Sequence, residues 1–486
     1  MPLQKVKFAV AEAQSKMKPI RSLFITIFVL AKILVVTTGC ANVIPPTGGP
    51  RDTLPPVLVT VVPLDSTLNF KTNKIVFNFD EYLELKDVRT NLIVSPVPKT
   101  NPIVTSKLRT ITVILKDTLK PFTTYTLDFG KAIHDINEGN ILKNFTYIFS
   151  TGPYLDSMEL TGTVILASTG KPDSTLMAIL HKGTDDSAVI KERPRYIARL
   201  DSLGRFHFRH IAPGTYAVYA LKDESGTNRY SSKSQLFAFS DTSILVLNNN
   251  PPLTLYAFSD TTGSVPTKKA VVASKPKKTD NTNNRLIITV NVSEGRFDLL
   301  DTFHIQSQVP LRSFDSTKIR FTDGDFKTIP NAYFVEDSDH KKITLQYKWP
   351  PDTKYHVIAD KSFAEDTTGK KLLKIDTISF LTKKENEYGT LILHFRNYVP
   401  AKNPVLQFVQ NNQVVKTLVI TTPNYTYKLF RPGDYELRVL FDENKNGVWD
   451  PGDFFGKHKQ PEKVKVISRK LLRVKSNWDN ENDVFL

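Results

Sequence analysis

The chain has 486 residues, 40% of them hydrophobic and 10% aromatic, and carries a formal net charge of +16. That length holds three or four ordinary domains, and that composition excludes global disorder. Its one cysteine, Cys40, excludes an intramolecular disulfide and any cysteine-based metal cluster.

In chain order, Lys5, Lys7, Lys16, Lys18 and Arg21 come first, then the apolar run "SLFITIFVLAKILVV", then "TTGC". Basic residues, an apolar segment and small residues, in that order, are the layout of an export signal. A membrane span needs about 20 apolar residues. This run is shorter and Lys32 interrupts it, which counts against the alternative of an uncleaved signal-anchor helix. A lone cysteine after Thr-Thr-Gly resembles a bacterial lipoprotein signal. Gly39 fills the small position before the cut, while Thr37 departs from the apolar residue usual two places earlier. The resemblance implies removal of residues 1–39 and a lipid on Cys40. The lipid would hold the protein at a membrane of the cell envelope, with the outer membrane as the expected site and either its periplasmic or its outer side open. Met17 is an alternative start to Met1.

The first 39 residues hold six Lys/Arg and one acid, so the rest carries about +11. A basic balance raises the question of nucleic acid. Here the cations are scattered over strands and linkers with no helix-borne cluster, so no nucleic-acid partner is expected. Acidic glycans or anionic lipid are compatible with the charge.

Residues 40–53 are rich in Pro and Gly without periodicity and read as a tether. From residue 54 to 152, "KIVFNFDEYLEL", "TITVILKD", "TYTLDFG" and "FTYIFSTG" are short β-branched and aromatic runs at strand spacing. This is block A. Block B, 153–258, continues the pattern with "LTGTVILA", "TLMAILHK", "RFHFRHI" and "TYAVYALKD". Residues 259–284 hold five lysines and no aromatic residue and read as an exposed linker. The pattern then repeats. "TTYTLDFGKAIHDINEGNIL" (123–142) matches "TKYHVIADKSFAEDTTGKKL" (353–372), and "PGTYAVYALKDESG" (213–226) matches "PGDYELRVLFDENKNG" (432–447). The chain thus divides into A, B, linker, A′ (285–384) and B′ (385–486). Many short strands without helices between them predict an all-β chain of tandem sandwiches.

Block A resembles the SbsA N-terminal type of bacterial Ig-like domain through "LPPVLVTVVPLDSTLNF", "KIVFNFDEYLEL", "LKPFTTYTLDFGKAIHDINEGN" and "FTYIFSTG". A′ keeps "PPDTKYHVIADKSFAEDTTGK" but lacks the opening signature. The B blocks are similar to transthyretin-like, carboxypeptidase-regulatory-type sandwiches, through "LDSLGRFHFRHIAPGTYAVYALKDESG" and "FRPGDYELRVLFDENKNGVWDPGDF". That resemblance implies that Phe206, Phe208, Tyr216 and Tyr435 point into the sandwiches. Neither family implies catalysis, and fold likeness says little about function.

The sequence offers no catalytic residue. His207 and His210 are three apart on a strand and face opposite ways. H-E-x-x-H, G-x-S-x-G, a P-loop and a Cys-His pair are all missing. Asp80, Glu81 and Glu84 are close acids of the kind a glycosidase uses, but the resemblance implies that Asp80–Glu81 is a structural position of the Ig-like family.

One stretch has metal-like spacing. In "FDENKNGVWDPGDF" (441–454), Asp442, Asn444, Asn446, the Val448 carbonyl, Asp450 and Asp453 follow the ligand order of a calcium loop, with Gly447 at the turn. Two readings stand: one Ca2+ that stiffens B′, or a polar loop closed by its own Asx turns. Trp449 and Trp478 are expected to pack beneath this loop and against the last strand. The matching B loop, "KDESGTNRY", has too few ligands. The chain therefore reads as a non-enzymatic, membrane-anchored string that projects its second pair of modules away from the lipid-held N-terminus. It would act as a binding, adhesion or envelope-assembly scaffold. The alternative is an accessory glycan-binding lipoprotein of an outer-membrane uptake system, which predicts an exposed aromatic platform.

Overall fold

Alternating apolar residues make the strands, and the computed structural model shows what they face. It describes residues 51–247, 250–259, 285–468 and 470–486. The signal, Cys40, most of the tether and the linker beyond Ser259 lie outside the described residues. The architecture is all-β throughout, in paired and packed sheets.

In A, strands Leu58–Val62, Lys74–Phe79, Thr110–Ile114 and Ile103–Lys107 lie side by side. They pack on a sheet of Thr146–Ser150, Thr124–Asp128 and Ile93–Ser95. Lys74–Phe79 shows why: Ile75, Phe77 and Phe79 alternate into the core, and the residues between them look out. Phe77 meets Phe129 and Tyr147 edge-on, with centroids 5.6 and 5.2 Å away.

A′ repeats this order strand for strand. Ile288–Val290, His304–Ser307, Lys342–Gln346 and Tyr333–Glu336 form one sheet. Asp376–Thr382, Lys354–Ala359 and Ile319–Asp323 form the other, extended by Arg296–Phe297. The absent opening signature therefore did not change the topology, because turn residues punctuate the strands while the alternating apolar positions pair them. The two matched loops close alike. Asp135 accepts from the backbone N–H of Glu138, Gly139 and Asn140 at 2.6–2.9 Å, and Asp366 accepts from Thr368 and Lys370 at 2.8 and 3.0 Å. Burial opposes ionisation of both carboxyls, but these donors outweigh it and hold both pKa values low.

B and B′ share a second topology. In B, Met158–Leu166 lies between antiparallel Arg205–Ile211 and parallel Leu253–Ala257. In B′, Gly389–Arg396 lies between antiparallel Asn424–Phe430 and parallel Asp479–Phe485. The facing sheets are Tyr196–Arg199, Met177–Lys182, Gly214–Leu221 and Phe237–Phe239 in B. In B′ they are Gln413–Val419, Pro404–Gln410, Gly433–Phe441 and Lys463–Val466. Phe206, Phe208, Tyr216 and Tyr435 are all buried in their sandwiches. The Pro-Gly-x-Tyr signature is a repeated device. Gly214 and Gly433 take φ of 154° and 150°, values that side-chain-bearing residues rarely adopt. Two residues on, the Tyr216 hydroxyl donates to the Ala212 carbonyl and Tyr435 to Arg431, at 2.9 and 2.8 Å.

Blocks A and A′ are each tied to the sandwich that follows by an arginine. Arg199 pairs with Asp128 at 2.6 Å, and Arg431 reaches Asp301 at 2.5 Å and Asp298 at 3.3 Å. The modules do not lie in a simple row, because B′ folds back onto B. The reason is burial. The Met177–Lys182 and Gly214–Leu221 strands of B are apolar on both faces, and their second face needs a cover.

Candidate functional site

The cover comes from the oxygen-rich loop itself. Phe441 and Lys463 are partners in adjacent antiparallel strands, so residues 442–462 leave B′ and return at one neck. The carboxylates of Asp442 and Glu462 are buried at that neck, with residue exposures of 2% and 1%. Asp442 accepts from the N–H of Asn446 (3.3 Å) and Gly447 (2.6 Å). Glu462 accepts from the N–H of Glu443 (2.8 Å) and Asp450 (3.0 Å), and the Trp449 indole donates to the Glu462 carbonyl at 2.7 Å. Lys445 and Gly447 turn the chain with φ of 62° and 78°.

The sequence-derived ligand set divides in two here. Asn444 and Asn446 both donate their side-chain N–H to one oxygen of Asp450, at 2.6 and 2.7 Å, and Val448 N–H donates to the Asn446 side-chain oxygen. Asp442, Asn444, Asn446, Val448 and Asp450 therefore share one turn system. Asp453 sits in the next turn, where its carboxylate accepts from the N–H of Gly456 and Lys457 at 2.9 and 3.1 Å. The acid that does join the cluster is Glu462. Burial raises its pKa, and the neighbouring Asp442 and Asp450 charges raise it further, against the lowering donors. Among the described residues, no three His, Cys, Asp or Glu side chains converge closely enough to hold one ion. As it stands the loop is closed by its own amide and backbone hydrogen bonds. A calcium ion would require the Asn444 and Asn446 amides to turn their oxygens inward.

Past this cluster the loop becomes aromatic. Phe454, 5% exposed, enters a cup on B made by Tyr219, Phe237 and Phe239, with ring centroids at 5.7, 5.0 and 4.7 Å. Phe455 lies on Tyr230 at 5.5 Å, and His458 lies on Phe239 at 4.9 Å. Around them Gln460 donates to the Phe239 carbonyl and to Asp241, Val464 N–H donates to the Ala167 carbonyl at 2.9 Å, and Lys171 pairs with Glu436 at 2.6 Å. Gly452 is packed so closely on Phe258 that a Cβ there would lie 2.7 Å from its ring. Trp449 is half-buried at this seam, whereas Trp478 is 62% exposed beside Lys475. Nothing in the alternation rule singles out Phe454. The available signal was the unbroken apolar run "YAVYAL" (216–221), too apolar for a strand with one wet face.

The other candidates stay apart. His207 bonds Glu159 at 2.8 Å, while His210 faces the Asp156 carbonyl. Asp80 caps Val57 N–H at 2.8 Å. Exposed aromatic rings, among them Tyr82, Phe122, Phe326, Tyr333 and Trp478, are scattered over the modules, and among the described residues no ring contact joins any two of these. No helix of the described residues is long and apolar enough to cross a membrane.

Residues 52–151 match the family described as the bacterial Ig-like domain. No curated protein matches the chain. Among solved structures it is similar to the N-terminal part of the bacterial S-layer protein SbsC, at 17% identity and a TM-score of 0.16, over 40% of this chain and 42% of that one. It is also similar to the Bacillus anthracis TIE protein (11%, 0.17, 90% and 75%) and to BcpA, the major pilin subunit of Bacillus cereus (8%, 0.17, 68% and 98%). The chain thus spans less than half of the SbsC fragment, and scores this low carry no argument about its work.

Proposed function

We propose that the chain is a non-catalytic scaffold of the bacterial cell envelope, anchored by a lipid on Cys40. The observation that supports it most is the clasp between B and B′. The 442–462 loop spends its aromatic residues on holding two modules together, and its polar groups on closing itself. Such a loop serves shape, and a shaped string of sandwiches suits adhesion or assembly. The resemblance of block A to Ig-like domains of exported bacterial proteins fits the same reading. The anchor is tested by Cys40→Ser in the producing bacterium. The variant is expected to lose lipid label and leave the membrane fraction. Retained label overturns the anchor.

A second reading concerns calcium at Asp442, Asn444, Asn446, Val448 and Asp450, with Glu462 taking the place expected of Asp453. It is favoured by the neck itself. The Asp442 and Asp450 charges lie near enough to raise the pKa of Glu462, and among the described residues no ion pair joins any of the three to a cationic side chain. A divalent cation would relieve that repulsion. Calorimetric titration of the chain with calcium tests it, and no heat at millimolar calcium overturns it.

A further inference from the structure

We propose that the B–B′ clasp is an exchangeable interface and that the partner it fits, besides its own other half, is a second copy of this chain. The clasp joins two different surfaces, an aromatic cup on B and the Phe454 knob on B′. A knob from another copy meets the same cup with the same chemistry, and reciprocal exchange between two copies rebuilds both seams without any new contact.

Three observations favour exchange. First, each half has main cores of its own, those of A and B before residue 259 and those of A′ and B′ after residue 285, and the cluster shared between the halves takes only Phe454 and Trp449 from B′. The covalent link between the halves is residues 260–284, which can reach at most about 90 Å. Second, the rim of the seam is polar: Lys171 with Glu436, Gln460 with Asp241, and His458 with Asp186 at 3.5 Å. Seams of this kind within a chain resemble transient interfaces between proteins. Third, the seam is incompletely satisfied. Arg438 and Gln407, 2% and 5% exposed, face each other across neighbouring strands beside Glu436, yet Arg438 Nη2 and Gln407 Oε1 have no hydrogen-bond partner. A half-satisfied buried network costs stability that opening recovers through hydration. Once open, the cup of Tyr219, Phe237 and Phe239 is an apolar patch that a second copy's knob covers.

The Lys171–Glu436 contact supplies the test, because a carbodiimide joins an amine to a carboxylate with no spacer. Full-length chains in light and isotopically heavy forms are mixed in equal amounts, unfolded and refolded together over a range of concentrations, then crosslinked and digested. The proposal expects Lys171–Glu436 crosslinks between light and heavy peptides. These should rise with concentration towards about half of all such crosslinks, together with a species of twice the monomer mass. Crosslinks that stay light–light and heavy–heavy at every concentration overturn it. So does a dimer that persists in Phe454→Ala.

Discussion

B and B′ are built on one topology, with the same Pro-Gly-x-Tyr device, yet their equivalent loops do opposite things. After Gly214–Leu221 the B loop turns back on its own module, with Asp223 accepting from Thr227 and Asn228 N–H at 3.2 and 2.8 Å and Tyr230 N–H donating to the Val189 carbonyl, and it meets B′ where Tyr230 lies on Phe455. After Gly433–Phe441 the B′ loop runs to Glu462, buries two carboxylates at its neck and places Phe454 on the other module. Its extra length serves as a cover, and the face it covers belongs to the module that lacks it. Two copies of a fold become complementary when one of them lengthens a loop over the other's exposed apolar face.

The largest effect on this comparison should come from Phe454→Ala, which empties the cup. Loss of a buried phenylalanine costs about 3–5 kcal/mol, read as a lower denaturation midpoint of the transition that includes the seam. Next is calcium. If the neck binds it, stability should rise by about 2.7 kcal/mol at roughly 100-fold excess over Kd. Asp442→Ala should abolish the gain, while Asp453→Asn and Asp223→Asn should leave it intact. Equal loss in Asp453→Asn would return that residue to the ligand set. Third, Tyr216→Phe and Tyr435→Phe each remove one hydroxyl bond and should cost about 1 kcal/mol alike. Unequal costs in thermal melts would show that the shared device is not used equally.

The effects of pH on the two modules run in opposite directions. Burial, with Arg229 nearby, pushes the His181 pKa of B down to about 4. Its folded value lies below its unfolded one, so its contribution is present above about pH 6.5 and is lost as pH falls towards 4. Glu462 of B′ has a raised pKa, so its contribution is present below its unfolded value and is lost as pH rises through the folded one. In calcium-free solution Glu462→Gln should therefore be neutral or slightly stabilising near pH 7. A clear loss of melting temperature in that variant would mean that the carboxylate's two N–H bonds outweigh its repulsion.

The sequence alone determined the local things. Alternation in "KIVFNF" set which face of a strand is buried, Pro-Gly-x-Tyr set where a sandwich turns, and the A–B repeat set the order of modules, because each depends on residues close together in the chain. It also located the oxygen-rich turn from Asp442 to Asp450. Only the tertiary structure decided that Asp453 faces another turn, that Glu462 closes the neck from the next strand, and that Phe454 is a core residue of a module roughly two hundred residues earlier. Spacing along a chain encodes what a turn or a strand can satisfy by itself. Which surface covers the second face of a sheet is settled by shape and apolar burial between distant segments, and no local pattern records that choice.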